Sequence, residues 1–196
     1  LLRAYVLSPR LGQISADLLD VPAVRLYHDN VLAKQAGCGR TPWHFDDHHF
    51  PLDTNDVVTA WVPAQPIPLE MGPLTFAYPL DVHELVNAVT FEKTGTGYDR
   101  GVSDVFSKNN VSVNETPFEL GEVSFHHNLN FHTASSNRTN RSRVALANTY
   151  YRDGARVVNA PTMVSGDWQK FMPNVKPGDV AASPLNPICW PVKDKS

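Results

Sequence analysis

Short β-rich runs alternate with turn residues along most of this chain. "VVTAWVPA" (57–64), "PLTFAY" (73–78), "EVSFHHNL" (122–129) and "RVALANTYY" (143–151) are rich in Val, Thr, Phe or Tyr. Turn formers bound each run, the pattern of strands separated by turns. Two stretches carry helical spacing instead, "SADLLDVPAVRLY" (15–27) and "DVHELVNAV" (81–89). Segment 90–117, "TFEKTGTGYDRGVSDVFSKNNVSVNETP", has few periodic apolar positions and many Asn, Ser and Thr. A connection of that length in a compact domain is commonly functional, so 90–117 reads as an active-site lid or flexible loop. The pattern as a whole predicts a mainly β chain, a sandwich or barrel with a few peripheral helices.

Length and composition narrow the function classes. The 196 residues, 42% hydrophobic, fit one globular domain over 1–196 with a substantial core. A net charge of −3 with no basic stripe argues against a nucleic-acid partner. No apolar window reaches membrane-spanning length and no signal-peptide pattern opens the chain, so a cytoplasmic location is expected. The first residue is Leu1 rather than Met, which leaves open an incomplete N-terminus. Cys38 and Cys189, far apart in sequence, read as free thiols in a reducing compartment. A monomer or weak homodimer is expected.

The densest chemistry lies in "TPWHFDDHHFPLDTNDVVTAW" (41–61). On a regular strand, residues at i, i+2 and i+4 share a face, so His44, Asp46 and His48 would point one way. His-x-Asp on one face is a two-point grip for a divalent metal, a neutral nitrogen beside a charged oxygen. Such a pair arises by chance in roughly one chain of this composition in two, so it needs context. "GEVSFHHNLNFHTASSNRTNRSRVALANTYYRDGARV" (121–157) supplies that context. His132 follows a strand and would complete a two-His-one-carboxylate set, leaving one side of the metal open for substrate and O2. Arg143 opens the next strand, and its planar charged fork suits the distal carboxylate of a 2-oxo-diacid.

The blocks "YHDNVLAKQAGCGRTPWHFDDHHFPLDTNDVVTAWVP", "MGPLTFAYP" and "GEVSFHHNLNFHTASSNRTNRSRVAL", in this order and spacing, resemble the phytanoyl-CoA dioxygenase family of Fe(II)/2-oxoglutarate-dependent oxygenases. The resemblance covers about 27–157. It implies a double-stranded β-helix, a jelly-roll or cupin-like barrel, with iron inside its open end. It implies iron ligands His44, Asp46 and His132, and Arg143 as the anchor for 2-oxoglutarate, with Arg141 a rival for that role. It further implies that Trp61 lines the cosubstrate pocket and that Asn30, four residues before Lys34, touches the cosubstrate. His48 is a substrate-side candidate. Phe76 and Phe131 are candidates for lining the substrate pocket, with core packing as the alternative for both. Asn137 and Arg138 are expected to shape the turn between His132 and Arg143. Of His126 and His127, one should face inwards, as a core histidine.

Two departures from the family pattern bear on substrate. Phe45 stands between the metal ligands where Gln is frequent, and "AYPLDVHEL" (77–85) replaces a Gly-Ser-His block. Halogenating relatives lack the carboxylate that Asp46 provides, so hydroxylation of a small organic molecule is the default expectation. Epimerisation, desaturation or ring closure by the same iron-centred oxidation stay open. "PLEMGPLTFAYP" is similar to bacterial members that tailor secondary metabolites. Two other classes remain: a non-oxidative cupin-like metal-binding protein, whose metal set would be richer in histidine, and a degenerate member kept as an interaction module.

Overall fold

A computed structural model describes residues 2–92 and 96–191. Two helices open the chain, α1 (Leu2–Val6) and α2 (Pro9–Leu19), followed by strand β1 (Val24–Lys34). Next come β2 (Thr41–His44), β3 (Val57–Pro63), β4 (Leu74–Tyr78) and the short helix α3 (Val82–Leu85). Helix α4 (Gly97–Asn109) and strand β5 (Ser112–Glu115) lead to β6 (Ser124–His127), β7 (His132–Ala134), β8 (Arg143–Arg152) and β9 (Ile188–Trp190). The strands form two antiparallel sheets, a larger one ordered β6-β3-β8-β1-β9 and a smaller one ordered β2-β7-β4-β5. The fold is thus the mainly β, cupin-like barrel expected, with few helices, and each of the runs at 57–64, 73–78, 122–129 and 143–151 coincides with a strand to within a few residues at its ends.

The helix expected over 15–27 is corrected. Pro9 starts α2 at a position where its missing N–H costs nothing, and Asp20 ends it in the left-handed region (φ 53), its N–H turned back to the carbonyls of Ala16 and Asp17. Beyond Pro22 the chain pairs with β8 from Val24 to Lys34. Apolar spacing at 18–27 fits either structure, and a long antiparallel partner decides for the strand. α2 lies against β9 so closely that a Cβ on Gly12 would sit 2.6 Å from the Cys189 carbonyl oxygen.

The second correction concerns 90–117. Residues 93–95 lie outside the described residues, but 97–115 is helix α4 and strand β5 rather than an irregular connection. Tyr98, Val102 and Phe106, at i, i+4 and i+8, bury one face of α4 with Val82, Ala77 and Phe131. The Tyr98 hydroxyl donates to the Trp43 carbonyl at 2.9 Å, and Arg40 pairs with Asp99, so α4 is fastened beside β2. Of 81–89, only Val82–Leu85 is α-helical. The end of the C-terminal segment, 192–196, is outside the described residues.

The two faces of the larger sheet differ. Val24, Leu26, Val58, Ala60 and Tyr150 pack outward against α1 and α2. The opposite face looks into the barrel. A register shift between Leu26 and His28 turns His28, Asn30, Leu32 and Lys34 onto that inner face. Cys38 is exposed and Cys189 buried, both as free thiols. No helix among the described residues is long and apolar enough to cross a membrane.

Candidate metal centre and cosubstrate cavity

β2 and β7 are antiparallel neighbours, and the last residue of one, His44, lies opposite the first of the other, His132. Their rings are 4.2 Å apart. β2 stops at His44 because the next N–H groups go elsewhere: those of Asp46 and Asp47 both donate to the Asn128 carbonyl, at 2.8 and 3.2 Å. The Asn128 amide in turn donates to the Asp47 carboxylate at 2.9 Å. The chain bends there, enters a 3-10 turn at Asp47–His49, and brings the Asp46 carboxylate back towards the two imidazoles. One ligand atom from each of His44, Asp46 and His132 falls within 4.8 Å of the others, a group that could hold a metal ion.

The tautomers suit that role. Nδ1 of His44 is 2.8 Å from the Pro42 carbonyl and Nδ1 of His132 is 2.9 Å from the Asn130 carbonyl. A proton on each Nδ1 leaves both Nε2 lone pairs for the centre. Burial, reinforced by the charge of His44, pushes His132 down to about 3, so its imidazole is neutral near pH 7. Burial opposes ionisation of Asp46, but His126, His132 and His44 around it outweigh burial and hold the carboxyl well below the usual range. One Asp46 oxygen is 3.7 Å from His44 Nε2 and the other is 3.7 Å from His126 Nε2.

Beside this centre lies a cavity of about 800 Å³. Its floor on the larger sheet is built in rungs. Lys34 faces Arg143 across β1 and β8, Asn30 faces Ala147, and His28 faces Thr149. β3 extends the last two with Trp61 beside Ala147 and Thr59 beside Thr149. Six residues of strand separate the ends of the ladder, a span of about 20 Å. Ala147, small and in the lining, leaves the space open.

At the inner end Arg143 is buried, 5% exposed, with one Nη1 donating to the Gly72 carbonyl at 2.5 Å. Gly72 has φ 73, and a Cβ there would meet the Ser135 carbonyl oxygen at 2.2 Å. Only glycine lets that carbonyl pass beneath the guanidinium. Among the described residues Arg143 Nε has no partner, nor does the buried Trp61 Nε1, and the guanidinium carbon stands 5.4 Å from the Trp61 ring centre. Unpaired donors on a buried guanidinium and a neighbouring indole, both in the cavity lining, are chemically suited to an anionic oxygen. Arg141 is exposed, and its carbonyl accepts from Asn137 Nδ2 at 2.7 Å, within the turn that Asn137 organises.

At the outer end His28, Phe50 and Phe171 meet, with His28 and Phe171 rings 4.8 Å apart. Burial pushes the His28 imidazole down, and its buried Nδ1 has no partner among the described residues. His49, Val164, Gly166 and Lys170 complete the mouth; no described residue of 90–117 lines the cavity.

The structure brings together His44, Asp46, His132, Arg143, Trp61 and Asn30, all in the lining of one cavity. It separates three others. His48 is exposed in the 3-10 turn, its ring against Phe45 at 4.4 Å, and lines a neighbouring polar depression instead. Phe131 is 1% exposed and stacked on Trp43, a core residue. Phe76 sits behind the centre against His126 and His132, at 5.5 and 6.2 Å, outside the cavity lining. Sequence reasoning missed Lys34, His28, His49 and His126 as cavity residues. The period-2 run His28, Asn30, Leu32, Lys34 was the available signal, hidden by reading 15–27 as helix.

The model of the family described as phytanoyl-CoA dioxygenase (PhyH) matches residues 1–145. No curated protein matches the chain. Among solved structures, the non-heme alpha-ketoglutarate-dependent carbocyclase SnoK from nogalamycin biosynthesis is 24% identical with TM-score 0.74, over 95% of this chain and 70% of that one. The epimerase SnoN, in complex with Fe3+, alpha-ketoglutarate and nogalamycin RO, is 22% identical with TM-score 0.71, over 96% and 73%. EctD from S. alaskensis with bound Fe is 15% identical with TM-score 0.62, over 80% and 54%. At these identities the likeness is one of fold, while the family match spans most of the chain. The chain belongs to the phytanoyl-CoA dioxygenase (PhyH) family of Fe(II)/2-oxoglutarate-dependent oxygenases.

Proposed function

We propose that this protein hydroxylates a C–H bond of a small organic molecule, coupled to decarboxylation of 2-oxoglutarate to succinate and CO2. The observation that carries the reading is the joint lining of one cavity by His44, Asp46, His132, Arg143 and Trp61. His44 Nε2, His132 Nε2 and an Asp46 oxygen would hold Fe(II), a hard-to-intermediate donor set with the fit of non-heme iron. Bound there, the iron supplies the redox chemistry by which O2 oxidises both 2-oxoglutarate and substrate. Arg143 takes the 5-carboxylate of 2-oxoglutarate and thereby aims its oxo-acid end at the His–Asp–His group. Trp61 gives the cosubstrate an apolar wall and a free N–H, and Asn30 touches it from the neighbouring strand. The backbone carbonyls of Pro42 and Asn130 keep the two imidazoles oriented. At the mouth, Phe50 and Phe171 exclude water and His28 offers a neutral imidazole to a substrate oxygen or N–H.

Anaerobic titration of the purified protein with Fe(II) and 2-oxoglutarate tests this. A weak visible charge-transfer band is expected in the wild type, lost in Asp46→Ala and displaced to higher cosubstrate concentration in Arg143→Ala. Metal bound without a band would refute it and favour a non-oxidative metal-binding barrel.

A second outcome of the same chemistry, ring closure or epimerisation, is supported by the likeness to SnoK and SnoN. Product mass separates the two: hydroxylation adds one oxygen, ring closure removes two hydrogens, and epimerisation leaves the mass unchanged. The substrate class favoured is a secondary metabolite, handled in the cytoplasm by a monomer or weak homodimer without nucleic-acid or membrane partners.

A further inference from the structure

Lys34 is buried at the end of β1, although the five strand residues before it are exposed. It is 6% exposed, and its Nζ donates to the carbonyls of Ala134 and Ser135 at 3.1 and 2.7 Å. An ammonium has three donors, so one remains. Its cross-strand partner is Arg143, also buried, and both line the same cavity. Like charges directly opposite on neighbouring strands repel. Among the described residues neither cation has a carboxylate within ion-pairing distance. Glu115, nearest in the hydrogen-bond network, accepts from the Ser135 hydroxyl at 2.9 Å rather than from Lys34. Burial, and then the charge of Arg143, push the Lys34 ammonium down to about 8. Two buried, adjacent, uncompensated cations are a costly arrangement that an anion in the cavity would relieve.

We propose that Lys34 is the second cation of the cosubstrate anchor, sharing the distal carboxylate with Arg143 and making the cavity selective for 2-oxo acids that carry a second carboxylate. This rests on the reading of Arg143 given above. The two side chains divide the work by shape. The Arg143 fork fixes the plane of the carboxylate, and Lys34 adds a point charge from the neighbouring strand. Lys34 also ties β1 to the end of β7, the strand that carries His132, so a filled anchor braces one side of the metal centre.

The test uses the Fe(II)-loaded protein under anaerobic conditions, titrated with 2-oxoglutarate and with 2-oxopentanoate, which keeps the chelating end and lacks the distal carboxylate. The charge-transfer band reports dissociation constants without turnover. In the wild type 2-oxoglutarate binds far more tightly than 2-oxopentanoate. Lys34→Met is expected to weaken 2-oxoglutarate at least 10-fold and leave 2-oxopentanoate unchanged, with Lys34→Arg restoring most of the loss. A purely structural lysine would weaken both ligands alike, and that result overturns the proposal. So does an unchanged preference in Lys34→Met alongside a lost preference in Arg143→Ala. If Lys34→Met binds neither ligand, Lys34→Gln, which keeps a donor for the two carbonyls without the charge, gives the same comparison. No band with either ligand in the wild type refutes the site reading itself, and the proposal falls with it.

Discussion

Replacing His126 by Phe isolates the contribution of the third imidazole around Asp46. His126 is 6% exposed, its ring packed 4.8 Å from His132 and 5.5 Å from Phe76, so a phenyl ring of similar volume fills the same space. What is lost is the Nε2 group facing the outer Asp46 oxygen at 3.7 Å, while the other oxygen faces His44 Nε2. A ligating carboxylate whose outer oxygen loses its partner can rotate and bind less tightly. Loss of such an outer partner costs metal affinity roughly 10- to 100-fold, about 1.4–2.7 kcal/mol. Equilibrium competition for Co(II) or Fe(II) against a chelator measures it directly. His126→Phe should weaken metal binding by that factor with a denaturation midpoint near that of the apo wild type, and His126→Gln should recover part. Equal metal affinity in His126→Phe would refute the reasoning and leave His126 a packing residue.

Other outcomes follow from the same geometry. Arg143→Ala leaves Gly72 and Trp61 without their cation and should raise the apparent KM for 2-oxoglutarate roughly 100-fold, by steady-state succinate release, with a smaller change in kcat. Burial and the neighbouring Arg143 push the Lys34 ammonium down to about 8 in the folded chain, from an ordinary 10.5. Between those values the unfolded chain binds the extra proton, so the Lys34 contribution to apo stability should rise with pH from about 8 to about 10.5 and be flat just below, against a fall contributed by Cys189 and the buried tyrosines, which burial pushes up. Chemical denaturation of wild type and Lys34→Met across that window checks it: the stability difference between them should change with pH, and a constant difference would refute it. Phe131→Ala opens a void in the cluster under α4 and should cost about 3–5 kcal/mol in urea unfolding, while His48→Ala changes neither stability nor substrate kinetics by more than about 0.5 kcal/mol.

Much of this molecule was determined locally. β3, β4, β6 and β8 are runs rich in Val, Thr, Phe or Tyr bounded by turn residues, so their existence needs no partner to be read. The chemical grammar of His44, Asp46, His132 and Arg143 is likewise a matter of residue type and order. Tertiary structure decided what local pattern leaves degenerate. Residues 18–27 fit a helix or a strand, and pairing of β1 with β8 selects the strand. The alternation that placed His48 with His44 and Asp46 ended when Asn128 took the N–H groups of Asp46 and Asp47, which turned Asp46 inward and left His48 outside. α4 was obscured by the polar residues between Tyr98, Val102 and Phe106, and becomes stable because Phe131 and Val82 cover its narrow apolar stripe. In the sequence Lys34 serves only to locate Asn30, four residues before it. Its place opposite Arg143 depends on strand register across more than a hundred residues, because the charges that meet in a folded chain are chosen by pairing rather than by proximity in sequence.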